Sequence, residues 1–380
     1  MDFSLTCSVQ HGAVTAEILC PEADEFTRYA CYLLDEKKNT LQKQMYQKEQ
    51  VFTFPVQPGI YYVKAFVRSR PNQCPDSVTD KRESKRVTVY PTVALDYGSL
   101  EQVDFQGKQL TIYAIQWSGV TFEFAIRCPA GAKTAVVVGS GDIGQQASRP
   151  AFSRISWAGK LPGCAIYYFD PTVYAGKSTL CWGYGTNQRW YLENIAVLVK
   201  KILDRLGISL ADTLFFGSSG GGYMSILLAS MLHGRATAIN PQFLLEKWVP
   251  KNVRSFRESV LEPEEELIPE RIDAAKLIQR EGFFPPIHVW QNICSAFDVK
   301  EQLTPFLCQI AGGTINGYDR LRVNFYSGLD GRDNHNAMPP EADCLRVMAE
   351  DLARPEPCLS VKPGSYPPGS LLARLEAGEF

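Results

Sequence analysis

Thr213-Leu-Phe-Phe-Gly217-Ser218-Ser219-Gly220-Gly221-Gly222-Tyr223, continued by the apolar run Met224 to Leu232, is the stretch on which the fold turns. It reads as a short buried strand, a turn too tight for residues with side chains, and then a helix. Gly217, Ser219 and Gly221 match G-x-S-x-G, the nucleophile elbow, in which a serine on a strained strand-to-helix turn has its hydroxyl pushed out above the sheet edge. Residues two positions to either side must be small, because the turn presses backbone against backbone. The helix that follows points free N–H groups at the same place, where they favour developing negative charge. A flexible Gly/Ser loop would satisfy the bare pattern equally well. The strand before it and the long apolar helix after it are what favour the functional reading.

Strand-like and helix-like runs alternate on both sides of this stretch. Leu110 to Gln116 and Thr121 to Ile126 read as two antiparallel strands. They are followed by strands at Thr134 to Val138 and Cys164 to Phe169, a helix at Tyr191 to Leu206, the strand Thr213 to Phe216 and a helix from Tyr223 to Leu232. Strands at Ala236 to Ile239, Ile287 to Gln291 and Arg322 to Tyr326 follow, and a helix over about Pro340 to Leu352 closes the series. Such alternation calls for a mainly parallel sheet with helices on both faces, an α/β fold. Residues 1–91 differ: short strand-like runs with turn formers such as Gln57-Pro58-Gly59 and Arg70-Pro71-Asn72 between them suggest a small immunoglobulin-like sandwich. The expected organisation is a β-sandwich appendage at 1–91 and an α/β domain at 92–352. An insertion at 243–285 is placed to act as a lid, and a Pro/Gly-rich tail at 353–380 either hugs the surface or is disordered.

Bulk composition narrows the function classes. The chain has 380 residues, 45% of them hydrophobic and 21% charged, ordinary values for a globular protein with a sizeable core. The net charge of −2 gives no footprint for nucleic acid, and no polybasic segment or bilayer-length apolar run points to membrane insertion. The 11 cysteines are scattered, odd in number and free of C-x-x-C pairs, which fits reduced thiols. With no signal-peptide pattern after Met1, the expectation is a cytoplasmic protein. No metal-ligand spacing such as H-E-x-x-H occurs, so neither metal nor other cofactor is expected.

A serine hydroxyl needs a general base, usually a histidine oriented by a carboxylate. The chain has four histidines. His11 lies in the β-rich front, His233 ends the helix after the elbow, and His288 sits inside an apolar strand. His335 remains, in Gly328-Leu-Asp-Gly-Arg-Asp-Asn-His335-Asn, a polar loop between the last strand and the last helix. For the carboxylate, Asp298 in the loop after the preceding strand is favoured. Its rivals Asp330 and Asp333 are more suited to shaping the turn through local bonds.

The elbow, the order Ser219, Asp298, His335 and the strand–helix alternation resemble the α/β-hydrolase superfamily over about residues 105–352. The resemblance implies an oxyanion hole formed by the N–H of Gly220 and by the Gly139-Ser140-Gly141 loop, although the H-G-G-G run of lipases is absent there. A fainter likeness, resting on the elbow, on Ala238-Ile-Asn-Pro-Gln242 and on the β-rich front, is to hydrolase-like proteins and O-acetyltransferases of bacterial surface-glycan assembly.

One motif competes. Gly139-Ser-Gly141-Asp-Ile-Gly144 fits G-x-G-x-x-G, with Asp170 ending the next strand as a would-be ribose ligand. Pro150 falls early in what would be the phosphate-binding helix, two strands precede the motif, and the serine, acid and histidine would go unexplained. The expected activity is therefore serine-dependent acyl hydrolysis of a small-molecule or glycan ester. Acyl transfer to a sugar hydroxyl uses the same residues, and a non-catalytic glycan-binding or scaffold protein is the alternative of another class. Trp182 and Tyr184, in the aromatic-rich stretch 170–190, are candidate sugar-stacking residues and could equally belong to the core.

Overall fold

The structure is a computed structural model and describes residues 1–10, 12–69, 78–144, 149–176, 178–311, 316–359 and 364–380. His11 and the expected turn at Arg70-Pro71-Asn72 lie outside the described residues. The chain divides into two compact units, the second beginning at Val93.

The first unit contains strands β1 (Ser4–Gln10), β2 (Ala13–Leu19), β3 (Arg28–Leu34), β4 (Thr40–Gln47), β5 (Val51–Pro55), β6 (Gly59–Ser69), β7 (Val78–Glu83) and β8 (Val87–Val89). They form two antiparallel sheets, ordered β1-β2-β5 and β4-β3-β6-β7, with β8 paired to β6. Alternate residues such as Val14, Ala16, Ile18, Phe52, Phe54, Val63 and Ala65 point inward and are fully buried, the period-two signature of half-buried strands. Strands β4 and β7 were not legible in the sequence. Both are edge strands, Thr-Leu-Gln-Lys-Gln-Met-Tyr-Gln and Val-Thr-Asp-Lys-Arg-Glu, with mostly exposed side chains on both faces, so no apolar alternation marks them.

The second unit is built on a nine-stranded sheet of order β17-β16-β15-β14-β12-β13-β11-β10-β9. Its members are β9 (Thr92–Asp96), β10 (Gly107–Trp117), β11 (Val120–Cys128), β12 (Ala135–Gly139), β13 (Cys164–Tyr168), β14 (Thr213–Ser218), β15 (Arg235–Ile239), β16 (Ile287–Asn292) and β17 (Leu321–Tyr326). Strands β10 and β11 form a hairpin across Ser118-Gly119, both at positive φ as a tight two-residue turn requires. From β13 to β17 all pairings are parallel, and β11 meets β13 antiparallel.

Strands β12 and β13 exchange places relative to chain order. The chain leaves β12 toward β13 on one side, then returns past β12 to β14 and continues the other way to β15. The carboxyl ends of β12 and β14 therefore flank a topological switch point, where open α/β sheets leave a crevice.

Helix α1 (Tyr191–Leu206) buries Leu192, Ile195, Val199 and Ile202 at helical spacing and ends on Gly207 in the left-handed conformation. Helix α2 (Gly220–Met231) is buried on every side. Helices α3 (Pro250–Val260) and α4 (Ala274–Glu281) belong to the 243–285 insertion. Helix α5 (Thr304–Ala311) continues a π-helical turn at Asp298–Leu303, and α6 (Glu341–Ala353) and α7 (Leu371–Glu376) follow. The two sheet faces are told apart along β15. Ala238 faces α2 across Gly222, whereas the neighbouring Thr237 donates its hydroxyl to Asp351 of α6 at 2.5 Å. Within the insertion Phe256, Leu277 and Ile278 are buried in the main core, so this segment is packed structure rather than a loose flap. The tail is also anchored: Leu371 and Leu372 are buried, and the Leu371 N–H donates to the buried carboxylate of Glu281 at 2.9 Å.

Candidate active site

Ser219 stands at the carboxyl end of β14 with φ 54° and ψ −128°, a backbone geometry that non-glycine residues rarely adopt. The surrounding glycines make it possible. A Cβ on Gly217 would lie 2.2 Å from the carbonyl carbon and oxygen of Gly221, and one on Gly221 would lie 2.4 Å from the carbonyl oxygen of Gly139. The third residue of the run, Gly220, would meet the Leu180 side chain at 2.5 Å. The turn is fixed from outside as well, since the Ser219 N–H donates to the carbonyl of Ile239 at 3.0 Å.

Ser219, His335 and Asp298 come together although 116 residues separate the serine from the histidine. His335 Nε2 lies 2.9 Å from Ser219 Oγ, and His335 Nδ1 lies 2.7 Å from Asp298 Oδ2. A carboxylate accepts, so Nδ1 carries the proton and Nε2 is left to accept from the serine hydroxyl. Asp298 is 1% exposed and its Oδ2 also accepts from the Ser295 hydroxyl at 2.8 Å. It opens the helical segment that leads into α5, which differs from the loop position expected from the sequence.

Three asparagines hold the histidine loop. Asn240, at φ 42°, donates to the carbonyl of His335 at 2.8 Å and accepts from the Asn292 N–H at 2.7 Å. Asn292 donates to the carbonyls of Gly328 (2.9 Å) and Asn334 (2.8 Å), and Asn334 donates to the carbonyl of Cys294 at 3.1 Å. Asp330 accepts from the N–H groups of Arg332 and Asn334, and Asp333 from that of His335, so both are engaged within the turn. Tyr326 donates to the carbonyl of Ala337 and accepts from Asn240, and burial pushes its hydroxyl pKa up.

The other described histidines are engaged elsewhere. His288 places Nδ1 2.8 Å from Asp351 Oδ2, and its Nε2 accepts from the indole N–H of Trp290 at 2.9 Å. Burial raises the Asp351 pKa, but the bonds from His288, Thr237 and Arg322 outweigh it and leave the carboxyl below its usual range. His233, at the end of α2, stacks on Phe283 with ring centroids 4.1 Å apart, and burial pushes its pKa down to about 4.

The glycine loop after β12 lies against the elbow. A Cβ on Gly141 would lie 3.2 Å from the Ser218 carbonyl oxygen and 3.5 Å from Ser219 Cβ. Ser140 is buried, and its hydroxyl accepts from the Ser153 N–H at 2.9 Å and donates to the Ala151 carbonyl at 3.2 Å, which fixes the loop. Asp170 accepts from the N–H groups of Thr172 (2.8 Å) and Gly183 (2.7 Å), which ties down the 170–185 segment. It is buried, and burial raises its pKa. A carboxylate so engaged is not free for a ribose, and among the described residues between Gly144 and β13 the only helical element is the short turn Ile155–Trp157.

Trp182 and Tyr184 require a correction. They are 1% and 0% exposed and pack edge-on around Phe256 of α3, with centroids at 5.0 and 5.4 Å. Neither offers a ring face to a sugar, because both are buried under the insertion. The sequence reading did not select Gln242 and Trp248. Gln242, 0% exposed, donates from Nε2 to Ser219 Oγ at 2.8 Å. The Trp248 ring centroid lies 4.9 Å from that of His335, and its buried indole N–H has no partner among the described residues. The position of Gln242, a polar residue just past the end of the strand beside the elbow, was the available signal.

The strand order and the elbow at the switch point define an α/β-hydrolase type of fold. No family model matches the chain, and no curated protein matches it. Solved structures similar to it include the capsule O-acetyltransferase of Neisseria meningitidis serogroup A (15% identity, 62% of this chain and 95% of that one, TM-score 0.46). Another is an S-formylglutathione hydrolase from Agrobacterium tumefaciens (17% identity, 66% of this chain and 97% of that one, TM-score 0.43). A third is a chain of the glycosylation-associated Gap123 complex of Streptococcus agalactiae (13% identity, 92% of this chain and 70% of that one, TM-score 0.44). These likenesses are weak, and the fold assignment rests on the sheet itself.

Proposed function

We propose that the protein is a serine-dependent acyl hydrolase acting on a small ester or an acylated glycan. The observation that carries this reading is the continuous chain Asp298–His335–Ser219, at 2.7 and 2.9 Å, on a strained elbow. Ser219 Oγ attacks the acyl carbonyl while His335 Nε2 takes its proton, and Asp298 holds the imidazole and offsets its charge. The N–H of Gly220 and those of the 139–141 loop, including Ser140 and Gly141, receive the oxyanion. His335 then protonates the departing alcohol, and a second hydroxyl, from water or from an acceptor sugar, releases the acyl group. Water as acceptor makes the protein an esterase, and a glycan hydroxyl makes it an O-acyltransferase.

We read the first unit as an immunoglobulin-like appendage for packing or glycan recognition. Among the described residues the buried free thiols of Cys20, Cys31, Cys128, Cys164 and Cys344 fit a reducing compartment such as the cytoplasm. Labelling with a fluorophosphonate probe tests the central claim. The unaltered protein is expected to label, and Ser219→Ala and His335→Ala are expected to lose at least about a hundredfold in labelling rate. Labelling that survives Ser219→Ala would refute the assignment.

A further inference from the structure

Among the described residues Ser219 Oγ has two hydrogen-bonding side-chain neighbours, and only one of them is the histidine. Gln242 Nε2 stands 2.8 Å from the same oxygen, and the glutamine is fully buried. Which end of its amide faces the serine follows from chemistry. The indole of Trp182 can only donate, and its Nε1 lies 3.2 Å from Gln242 Oε1. That end of the amide is therefore the carbonyl, and the NH2 end is turned toward Ser219. A primary amide nitrogen donates and does not accept. The serine oxygen thus receives a hydrogen bond from Gln242, and its own proton is left to point at His335 Nε2.

Resting on the hydrolase reading, we propose that Gln242 is a fourth catalytic residue, with Trp182 as the residue that positions it. In acylation the Oγ–carbon bond forms as the hydroxyl proton moves to His335 Nε2 and the carbonyl electron pair moves onto oxygen. The Gln242 N–H holds Oγ in line for attack. In the second half-reaction the acceptor hydroxyl adds to the acyl carbon and gives its proton to His335. The Oγ–carbon bond then breaks, and His335 returns the proton to Oγ. Charge accumulates on Oγ during that departure, and the Gln242 N–H is already aimed at it, in a site where a donor counts for more than in water. The proposal also gives the two aromatic-segment residues nearest the elbow a shared purpose. Leu180 and Trp182 both close on Gly220, where a Cβ would meet them at 2.5 and 3.0 Å, so the tryptophan cannot drift from the amide it orients.

The test uses the full-length protein and the fluorophosphonate labelling rate, with urea unfolding of each variant as a check on the fold. Gln242→Ala is expected to label about ten- to a hundredfold more slowly than the unaltered protein, below the effect of deleting an oxyanion-hole donor. Gln242→Glu keeps the shape and the Trp182 bond but presents an acceptor to Ser219. It is expected to be the slowest at pH 7.5 and to close the gap to the unaltered protein, compared at each pH, as the pH falls and the carboxyl gains a proton, a change in the ratio of the two rates that a packing role would not produce. Trp182→Phe frees the amide to turn over and is expected to fall between Gln242→Ala and the unaltered protein. If the unaltered protein labels through Ser219 while Gln242→Ala and Gln242→Glu label within twofold of it, the proposal is overturned and the hydrolase reading stands. If the unaltered protein does not label, both fall.

Discussion

Replacing Ser219 by glycine and, separately, by alanine asks how much strain the elbow holds. Both variants lose the hydroxyl and with it the contacts to His335 and Gln242, so those losses cancel in the comparison. What remains is the backbone at φ 54° and ψ −128°. For a residue with a Cβ that geometry costs about 1–3 kcal/mol, and glycine escapes most of it. Against this, glycine in the unfolded chain has more freedom to lose, about 0.5–1 kcal/mol relative to alanine. The net expectation is that Ser219→Gly is the more stable of the two by about 1.5 kcal/mol, reversing the usual order of alanine over glycine. Urea unfolding followed by tryptophan fluorescence measures this cleanly, because all six tryptophans, from Trp117 to Trp290, lie in the second unit. With a slope of about 3 kcal/mol per molar urea, the midpoints should differ by about 0.5 M. Equal midpoints, or a more stable alanine variant, would mean that the turn is not strained and that the serine is not held as the elbow geometry requires.

Two further outcomes follow from packing and burial. His233 is buried with neither ring nitrogen partnered among the described residues, and its pKa is pushed down from 6.5 to about 4. The folded state therefore binds this proton less readily than the unfolded chain does. Stability from this group is complete above pH 6.5 and is lost as the pH falls from there toward 4, by up to about 3 kcal/mol. His233→Phe, which keeps the stack on Phe283, should flatten the stability–pH curve between pH 6.5 and 4.5, and an unchanged slope would count against it. Gly217→Ala drives a methyl to 2.2 Å from the Gly221 carbonyl, so backbone must move, at a cost of about 3 kcal/mol, and labelling at Ser219 should collapse with it. A Gly217→Ala protein with unaltered stability and labelling would contradict the close approach.

The sequence determined those features whose cause is local. A run of three glycines beside a serine, between an apolar strand and an apolar helix, has few other uses, and helical spacing with a terminal glycine marked α1 at the bounds the structure has, Tyr191–Leu206. The central parallel strands β12 and β13 were visible because both of their faces are buried and their residues are apolar, and β14 carries the apolar run Leu214-Phe-Phe216. Edge strands β4, β7 and β9 were not, because a strand exposed on both sides carries no apolar period. Tertiary structure alone decided which side chains meet. The exchange of β12 and β13 that opens the crevice leaves no trace in periodicity, since strand order depends on long-range pairing. Aromatic composition left Trp182 and Tyr184 open between a sugar platform and the core; helix α3 buries them against Phe256, and hydrophobicity cannot say which apolar surface is covered by a distant segment. The asparagine clamp on His335 and the Trp182–Gln242–Ser219 relay join residues from separate elements, 60 positions apart between the tryptophan and the glutamine. Polar partners of this kind are chosen by proximity in the folded sheet, which brings the carboxyl ends of β12, β14, β15, β16 and β17 to one edge.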